Sequence, residues 1–313
     1  MSLLDLDRLT AGLDEDPWAR LLRDWDSSLR AANHPESTRY NYLLAAVQFA
    51  RFLAGSGDAR EPAAIGRKNV EAFQISVIET RSAATALNKY KALQQLFRWL
   101  VEEGEIEQPP MMHVRKPKVV QKVVPVISDQ DTRRVLQASA GNDFVQLRDE
   151  ALIRMYANTG ARLSEIGGLR LTDVDLKLEA VHLHGKGGKD RWVLLGPKTA
   201  RALRRYLRSR ARRMGAADIA ELWLAARGAQ PLQPNGIKIR LKRLDDRAGV
   251  GNVYAHRWRH SFAHEWKLRG ADTGDLMLVL GWSSDETPRR YGASAAAERA
   301  QQVHARLGIG ERF

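Results

Sequence analysis

A segment rich in proline and basic residues, QPPMMHVRKPK at positions 108–118, constrains the fold of this 313-residue chain more than any other feature. Proline fixes the φ dihedral and removes a hydrogen-bond donor, so neither a helix nor a central strand continues through such a segment. A chain of this length is also typical of two domains. The sequence therefore predicts a first domain at residues 1–108, a basic linker at 109–127 that lies along an anion, and a second domain at 128–313.

The first domain is predicted to be a helical bundle. Apolar side chains recur at three- and four-residue steps in four stretches, which begin near Pro17, Ser37–Thr38, residue 67 and residue 84. We expect Ser37 or Thr38 to cap the second helix and Gly55–Gly57 to end it. Because each helix has one apolar face to bury, the four are expected to pack together as a small bundle.

The second domain is predicted to be mostly helical, with one small antiparallel sheet. The predicted helices cover 129–138, 144–158, 162–168, 198–213, 235–247, 257–268, 273–280 and the residues from about 294 onward, with Ser128 before the first. Strands are predicted at 169–175, 180–184 and 191–195, the last two joined by a glycine turn. The expected fold class is therefore mainly α, with a small antiparallel β-sheet in the second domain.

Positive charge is concentrated in one part of the chain. The whole sequence has 50 lysines and arginines against 37 aspartates and glutamates. Residues 1–80 have 9 basic and 12 acidic side chains, whereas residues 181–270 have 21 and 6, a net charge of +15. Such a concentration indicates a polyanionic partner, and its spread through structured segments favours nucleic acid over a membrane surface.

Composition excludes several other classes of protein. The sequence has no cysteine, which excludes disulfides, thiolate nucleophiles and cysteine-ligated metals. It has no apolar run of about 18 residues, so no membrane-spanning helix is expected. The acidic start, MSLLDLDRLTAGLDEDPW, differs from a signal peptide, and we expect a cytoplasmic protein.

Six residues of the second domain form a set that suits phosphodiester chemistry. Two guanidinium groups can hold the non-bridging oxygens of a phosphate, a lysine can protonate a leaving oxygen, and a histidine can accept a proton. An indole can donate a hydrogen bond, and a phenol can form a covalent phosphoester. The arginines take the place of a metal ion, so neither a metal nor a cofactor is expected. The six residues are Arg162, Lys186, His256, Arg259, Trp282 and Tyr291.

Two other patterns are weaker. The turn GKGGK at 185–189 lacks the spacing of a phosphate-binding loop and lies between two strands. Three histidines recur at four-residue steps at 256, 260 and 264, a spacing that permits zinc. No glutamate completes a zinc motif there, and Arg257 and Arg259 disfavour a cation, so no metal site is predicted.

Four motifs closely resemble the boxes of the tyrosine recombinase, or phage integrase, family. TGARLSEIGGL at 159–169 is similar to the first arginine box, and HGKGGKDRWV at 184–193 to the β-hairpin lysine. HRWRHSFA at 256–263 is similar to the H-x-x-R-H box, and LGWSS at 280–284, followed by Tyr291, to the nucleophile box. The helical first domain is similar to the family's core-binding domain. The resemblance is to the simple two-domain, Xer-like members that have no arm-binding domain.

This resemblance implies a role for each matched residue. Arg162 and Arg259 would clamp the scissile phosphate. Lys186 would be the general acid, His256 would assist proton transfer, and Tyr291 would be the nucleophile.

Two more positions follow from the resemblance. Glu165 matches a supporting acidic position of the family. Trp282 stands where most members have histidine, and an indole donates a hydrogen bond but cannot relay a proton. Basic residues expected to contact DNA are Lys89, Lys91, Arg98, Arg115, Lys116, Lys118, Lys189 and Arg191.

The function implied is that of a site-specific recombinase of double-stranded DNA. It would cleave through a 3′-phosphotyrosine and exchange strands through a Holliday junction, as a homotetramer on paired sites and without a metal. Two alternatives stay open at this point. A relaxing topoisomerase uses the same chemistry as a monomer, and a DNA-binding regulator would keep the fold without catalysis.

Overall fold

The computed structural model describes residues 4–13, 17–57, 61–120, 124–185, 187–283 and 286–312. The chain forms two compact units, Met1–Lys122 and Val123–Phe313. The helices of the first unit are α1 (Leu6–Thr10), α2 (Pro17–Ala31), α3 (Glu36–Ser56), α4 (Arg67–Thr80) and α5 (Ala83–Glu102), with a 3₁₀ turn at Pro62–Ala64.

Helix α3 lies at the centre of the first unit and packs against its neighbours through aromatic rings. The ring of Phe49 meets those of Trp18, Phe73 and Phe97 at centroid distances of 6.1, 5.2 and 6.0 Å, and it is completely buried. Edge-to-face contacts of this kind stabilise a core beyond the apolar area that they bury. These contacts link α2, α3, α4 and α5 into one bundle.

The start of α3 differs from the sequence prediction. The helix begins at Glu36, directly after Pro35, and not at a cap formed by Ser37 or Thr38. The fixed φ of proline, −56° here, suits the residue that enters a helix. Gly57 ends the helix as predicted, and its N–H donates to the carbonyl of Leu53.

The proline-containing segment after α5 packs partly against the first unit. Met111 and Val114 are buried in the core of this unit. The hydroxyl of Tyr90 donates to the carbonyl oxygen of Val114 at 3.1 Å, and Gln74 Nε2 donates to that of Arg115 at 3.0 Å. The first residues of this segment are therefore part of the folded unit, because their apolar side chains have a core to enter.

The second unit contains one small sheet and a series of helices. The strands are β1 (Val174–Asp175), β2 (Ala180–Leu183) and β3 (Arg191–Leu194), in the antiparallel order β1-β2-β3. The helices are α6 (Asp129–Ala138), α7 (Phe144–Thr159), α8 (Leu163–Gly167), α9 (Pro197–Ala211), α10 (Pro234–Ala248), α11 (Ala255–Leu268), α12 (Thr273–Leu280) and α13 (Glu286–Leu307), with 3₁₀ turns at Leu171–Asp173 and Ile309–Arg312. The predicted fold class, mainly α with a small antiparallel sheet, is confirmed.

Two elements of this unit differ from their predicted bounds by more than two residues. The strand predicted at 169–175 is reduced to Val174–Asp175, because a 3₁₀ turn at Leu171–Asp173 precedes it. The last helix begins at Glu286 instead of near residue 294. Pro288 is no obstacle, since the first turn of a helix needs no internal N–H donor.

The core of the second unit lies around α7. Tyr156, Tyr206 and Trp223 are completely or almost completely buried, and Trp223 Nε1 donates to the carbonyl of Ile166 at 2.7 Å. This bond joins the core around Trp223 to α8, because Ile166 belongs to that helix. Among the described residues, no helix combines the length and the apolar character needed to cross a membrane.

Replacing Phe49 with alanine tests the bundle. Removing a completely buried ring that contacts three others is expected to lower the free energy of unfolding by about 3–5 kcal/mol. Urea denaturation of the full chain, followed by circular dichroism, measures the change. Ile75→Ala is the control, since Ile75 is 55% exposed on α4 and its loss should cost within about 0.5 kcal/mol. Equal losses in the two variants would contradict the packing described here.

Candidate active site

Two helices of the second unit, α7 and α12, end close together, and each is followed by a glycine with positive φ. The φ angle is 57° at Gly160, after α7, and 62° at Gly281, after α12. A Cβ on Gly160 would lie 2.9 Å from Leu280 Cδ2, and one on Gly281 would lie 3.0 Å from Arg191 Nη1. Glycine thus allows both the backbone conformation and the close approach of the two helix ends.

The two helix ends hold Arg259, which lies on α11 and is only 2% exposed. Its Nη1 donates to the carbonyl of Gly160 at 3.1 Å, and its Nη2 donates to that of Leu280 at 2.5 Å. The carbonyls at a helix C-terminus carry partial negative charge, which favours a guanidinium group. The Cζ atom of Arg259 also lies 5.1 Å from the ring centroid of Trp282, within cation–π range.

Arg162 approaches the same end of α12 from another helix. It occupies the N-cap position of α8, and its Nη2 donates to the carbonyl of Gly281 at 3.3 Å. Its Nη1 donates to Glu165 Oε1 at 2.6 Å, and its backbone N–H donates to Glu165 Oε2 at 2.8 Å. The side chain is 36% exposed, so Arg162 is held on one side and faces solvent on the other.

Glu165 is the carboxylate that orders this cluster. It is buried, and it accepts hydrogen bonds from Arg162 and from Arg191, whose Nη2 lies 3.0 Å from Oε2. Burial alone would raise the pKa of Glu165, but the hydrogen bonds from Arg191 and Arg162 outweigh it and hold the pKa below the ordinary glutamate value. Glu165 therefore stays ionised between the two arginines at neutral pH.

Arg191 has a different place from the DNA-facing one that the sequence predicts. Its side chain is 10% exposed, and its Nε donates to the carbonyl of Val279 at 2.5 Å while the guanidinium contacts Glu165. Strand β3 thus supplies a side chain that joins α8 to the end of α12. In this arrangement Arg191 orients Glu165, and through it Arg162.

Among the described side chains, the charges around the end of α12 do not balance. Arg162, Arg191 and Arg259 supply three positive charges, and Glu165 supplies one negative charge. Arg162 and Arg259 donate to the carbonyls of consecutive residues, so their head groups meet at one point of the backbone. A partly buried site with excess guanidinium charge favours a phosphate group, which accepts several charge-assisted hydrogen bonds.

Trp282 packs beside this site. It lies at the edge of a small apolar cluster with Phe262, Leu276 and Leu280, and its ring faces Arg259. The indole therefore covers the guanidinium on one side and fills space on the other. Both functions need a large ring at this position.

The three histidines of α11 have different environments. His256 lies in the first turn of the helix and is exposed, as a proton acceptor at a substrate needs to be. His260 is buried, its Nε2 donates to the carbonyl of Val124 at 2.8 Å, and burial lowers its pKa. His264 Nε2 lies 3.3 Å from Glu298 Oε2, on α13. His260 and His264 thus hold neighbouring segments in place.

The structure does not describe the side chains of two of the six predicted residues. Lys186 lies outside the described residues, and for Tyr291 the description covers the backbone, which lies in α13, and not the side chain. Helix α13 packs along α11, where Arg299 Nη1 donates to the carbonyl of Lys267 at 2.8 Å. The helix of the predicted nucleophile therefore packs against the helix that carries Arg259.

The remaining basic residues predicted to contact DNA are mostly exposed. Lys89, on α5, is half-buried. Its pKa is lowered, mainly because burial disfavours the charged form and to a lesser extent because the positive charge of Arg81 is nearby. The exposed ones are Lys91, Arg98, Arg115, Lys116, Lys118 and Lys189. Exposure leaves these six accessible to a polyanion, and their contact with DNA stays a prediction.

Sequence reasoning missed two buried structural groups. Arg257, on α11, donates from Nε to the carbonyl of Pro125 at 2.8 Å and from Nη2 to that of Val126 at 3.0 Å. Asp149 is completely buried between Arg148 and Arg240. The sequence contained a signal for Asp149 and its arginines. Charged residues that interrupt the apolar stretch of a long helix indicate a buried ion pair.

Glu165→Gln tests the cluster. Losing the carboxylate leaves Arg162 and Arg191 without their counter-charge, and the expected loss is about 3 kcal/mol, the low end for a broken buried pair because Arg162 is partly exposed. Because the pKa of Glu165 is lowered in the folded protein, its stabilisation is present at neutral pH and is lost as the pH falls through that lowered value. Thermal melts from acid to neutral pH should show this acid loss in the wild type and a smaller one in the variant.

Glu150→Gln provides the matched control. Glu150 also contacts two arginines, Arg154 and Arg205, but at a more exposed position away from the cluster. Its replacement should cost no more than about 1 kcal/mol. If both variants lose the same stability, Glu165 does not have the central position argued here.

Both units of the chain match models of known protein families. Residues 125–298 match the model described as "Phage integrase family", and residues 21–106 match "Phage integrase, N-terminal SAM-like domain". The tyrosine recombinase XerC of Halalkalibacterium halodurans is 30% identical over 266 residues, which cover 83% of this chain and 87% of the relative.

Two solved structures show the same fold. The XerH site-specific recombinase bound to a palindromic difH substrate has a TM-score of 0.72 at 21% identity, over 92% of this chain and 85% of the other. A lambda integrase tetramer bound to a Holliday junction has a TM-score of 0.68 at 18% identity, over 85% and 77%. The chain therefore belongs to the phage integrase family, the family of the tyrosine recombinases.

Proposed function

We propose that this chain is a site-specific recombinase that cleaves and rejoins double-stranded DNA through a phosphotyrosine at Tyr291. The observation that carries the proposal is the meeting of Arg162 and Arg259 at the end of α12, where they bind the carbonyls of Gly281 and Leu280. Two guanidinium groups anchored in this way are oriented before substrate arrives. They would hold the non-bridging oxygens of the scissile phosphate and stabilise the charge that develops on them.

The chemistry has two matched steps. In cleavage, the Tyr291 oxygen bonds to phosphorus, the bond to the 5′ oxygen breaks, and a 3′-phosphotyrosine and a 5′-hydroxyl result. Lys186 supplies the proton that the leaving oxygen takes up, and His256 assists removal of the phenol proton. In rejoining, the 5′-hydroxyl of a partner strand attacks the phosphotyrosine and Tyr291 leaves. The number of phosphoester bonds is unchanged, so no energy source is needed.

The proposed assembly is a homotetramer on two DNA sites, with a Holliday junction between the two strand exchanges. The lambda integrase structure supports this, since that protein is a tetramer on such a junction. The exposed basic residues of α5 and of the proline-containing segment would contact the DNA backbone. We expect the protein to act in the cytoplasm, because that is where a bacterial recombinase meets its DNA substrate.

The chain's own residues favour a recombinase over the two alternatives. A regulator without catalysis would have no need for a buried Glu165 that orders Arg162, nor for two helix ends shaped around Arg259. A relaxing topoisomerase would share both features. Strand exchange between two duplexes separates it from a recombinase.

A nicked suicide substrate tests the proposal directly. With such DNA the wild type should accumulate a covalent protein–DNA adduct, and Tyr291→Phe should form none while it binds the same DNA, because only the nucleophilic oxygen is lost. Denaturing gel electrophoresis measures the adduct, and a mobility-shift assay measures binding. The matched control is Tyr254→Phe, since Tyr254 is an exposed tyrosine directly before α11.

Each outcome is informative. An adduct in Tyr291→Phe that disappears in Tyr254→Phe would move the nucleophile to Tyr254. Binding without any adduct in the wild type would favour the regulator. An adduct with relaxation of supercoiled DNA, but without products that join two duplexes, would favour the topoisomerase.

Trp282 gives a second test, because it departs from the family pattern. We expect Trp282→Phe to cleave within about tenfold of the wild type, since phenylalanine keeps an aromatic face toward Arg259 and an apolar contact with Leu280. Trp282→His should lose more, because a smaller polar ring leaves a cavity in the apolar cluster. Single-turnover cleavage rates decide. A Phe variant at least tenfold slower than the His variant would show instead that Nε1–H donation to the phosphate dominates.

A further inference from the structure

A second cluster of polar side chains lies at the base of the hairpin formed by β2 and β3. Asp173, His182 and His184 each place one oxygen or nitrogen atom within 4.8 Å of the others. His184 Nε2 lies 3.0 Å from Asp173 Oδ1. None of the three belongs to the arginine cluster described above.

The fold explains why these three residues meet. His182 and His184 are two residues apart along β2 and just beyond its end, so their side chains point to the same face of the sheet. Strands β1 and β2 are antiparallel, with Val174 opposite Val181. The same register places Asp173, the residue before Val174, opposite His182.

Each of the three side chains is already held by an outer partner. Asp173 Oδ2 accepts from the backbone N–H of Arg170 at 2.7 Å, which leaves Oδ1 directed at His184. His184 Nδ1 lies 2.9 Å from Asp190 Oδ2, and the ring of His182 stacks on that of Trp192 at 4.9 Å.

Asp190 is fixed in turn, because its Oδ1 accepts from the backbone N–H of Gly185 at 3.1 Å. A carboxylate on the far nitrogen of a histidine fixes the ring orientation and makes the near nitrogen a stronger ligand. This pattern accompanies most histidines that bind metals.

We propose that Asp173, His182 and His184 form a site for a divalent transition metal, with Zn²⁺ as the ion that fits best. Two imidazoles and one carboxylate are ligands that zinc accepts. Two ligand atoms at about 2.0 Å from a tetrahedral zinc lie roughly 3.3 Å apart, which is close to the separation of His184 Nε2 and Asp173 Oδ1. The exposed half of His184 gives the ion access, and water would complete the coordination.

The site would act on the hairpin and not on the phosphate. The ion would join the turn that precedes β1 to His184, which lies just beyond β2 and two residues before Lys186 in the sequence. It would therefore restrict the base of the loop that carries the proposed general acid. Cleavage itself would not require the ion, since the arginines supply the charge at the phosphate.

Zinc titration of the metal-free full chain, followed by calorimetry, tests the proposal. The wild type should bind one Zn²⁺ per chain, and His182→Ala and His184→Ala should each weaken binding at least tenfold. Asp190→Asn should weaken it about 10–100-fold, because it removes the outer partner of His184. His113→Ala is the control, since His113 is an exposed histidine in the other unit and should leave binding unchanged.

Limited trypsin digestion gives a readout that does not depend on affinity. Zinc should slow cleavage after Lys189, in the hairpin, several-fold in the wild type and not in His184→Ala. Circular dichroism melts show whether the variants fold. The proposal is overturned if the wild type binds no zinc, if His256→Ala or His264→Ala abolishes binding while His184→Ala keeps it, or if zinc leaves the digestion unchanged.

Discussion

The candidate site depends on the attraction between guanidinium groups and the carbonyls at helix C-termini. Helices α7 and α12 end in glycines whose positive φ turns the chain away and leaves the last carbonyls available. Arg259 donates hydrogen bonds to one carbonyl at the end of each helix. Arg162 donates to the carbonyl of Gly281, the residue that follows α12. The position of both arginines is thus set by backbone atoms, which move less than side chains. Glu165 and Arg191 then fix Arg162 from the opposite side.

Much of the fold and of the site was predictable from the sequence. Helical periodicity gave most helices to within a few residues, and the four motifs identified the candidate site residues because their spacing is so specific. What the sequence did not give was the use of each arginine. Arg191 lies in a predicted strand beside a basic turn, which suggests a DNA contact. Its partner Glu165 is 26 residues away in sequence, and no local pattern reports such a pairing.

Net charge along the sequence also overstates the surface available to DNA. Within residues 181–270, Arg210 is buried and donates to four backbone carbonyls, and Arg257 ties down the residues that precede α6. Arginine suits this task because its planar fork satisfies several carbonyls at once. The basic excess of this stretch therefore divides between a structural part inside the unit and an exposed part that faces solvent. A charge count cannot separate the two, because both use the same residue type.

The anchoring of Val124, Pro125 and Val126 to α11 sets where this protein can tolerate a change of length. Arg257 and His260 hold these three carbonyls from the helix that also carries His256 and Arg259. An inserted residue after Val124 would pull against those bonds and displace α11. An insertion beside Val120, which is 87% exposed, would meet no such resistance. The chain can therefore change in length beside Val120 without displacing α11, the helix that carries the candidate site residues His256 and Arg259.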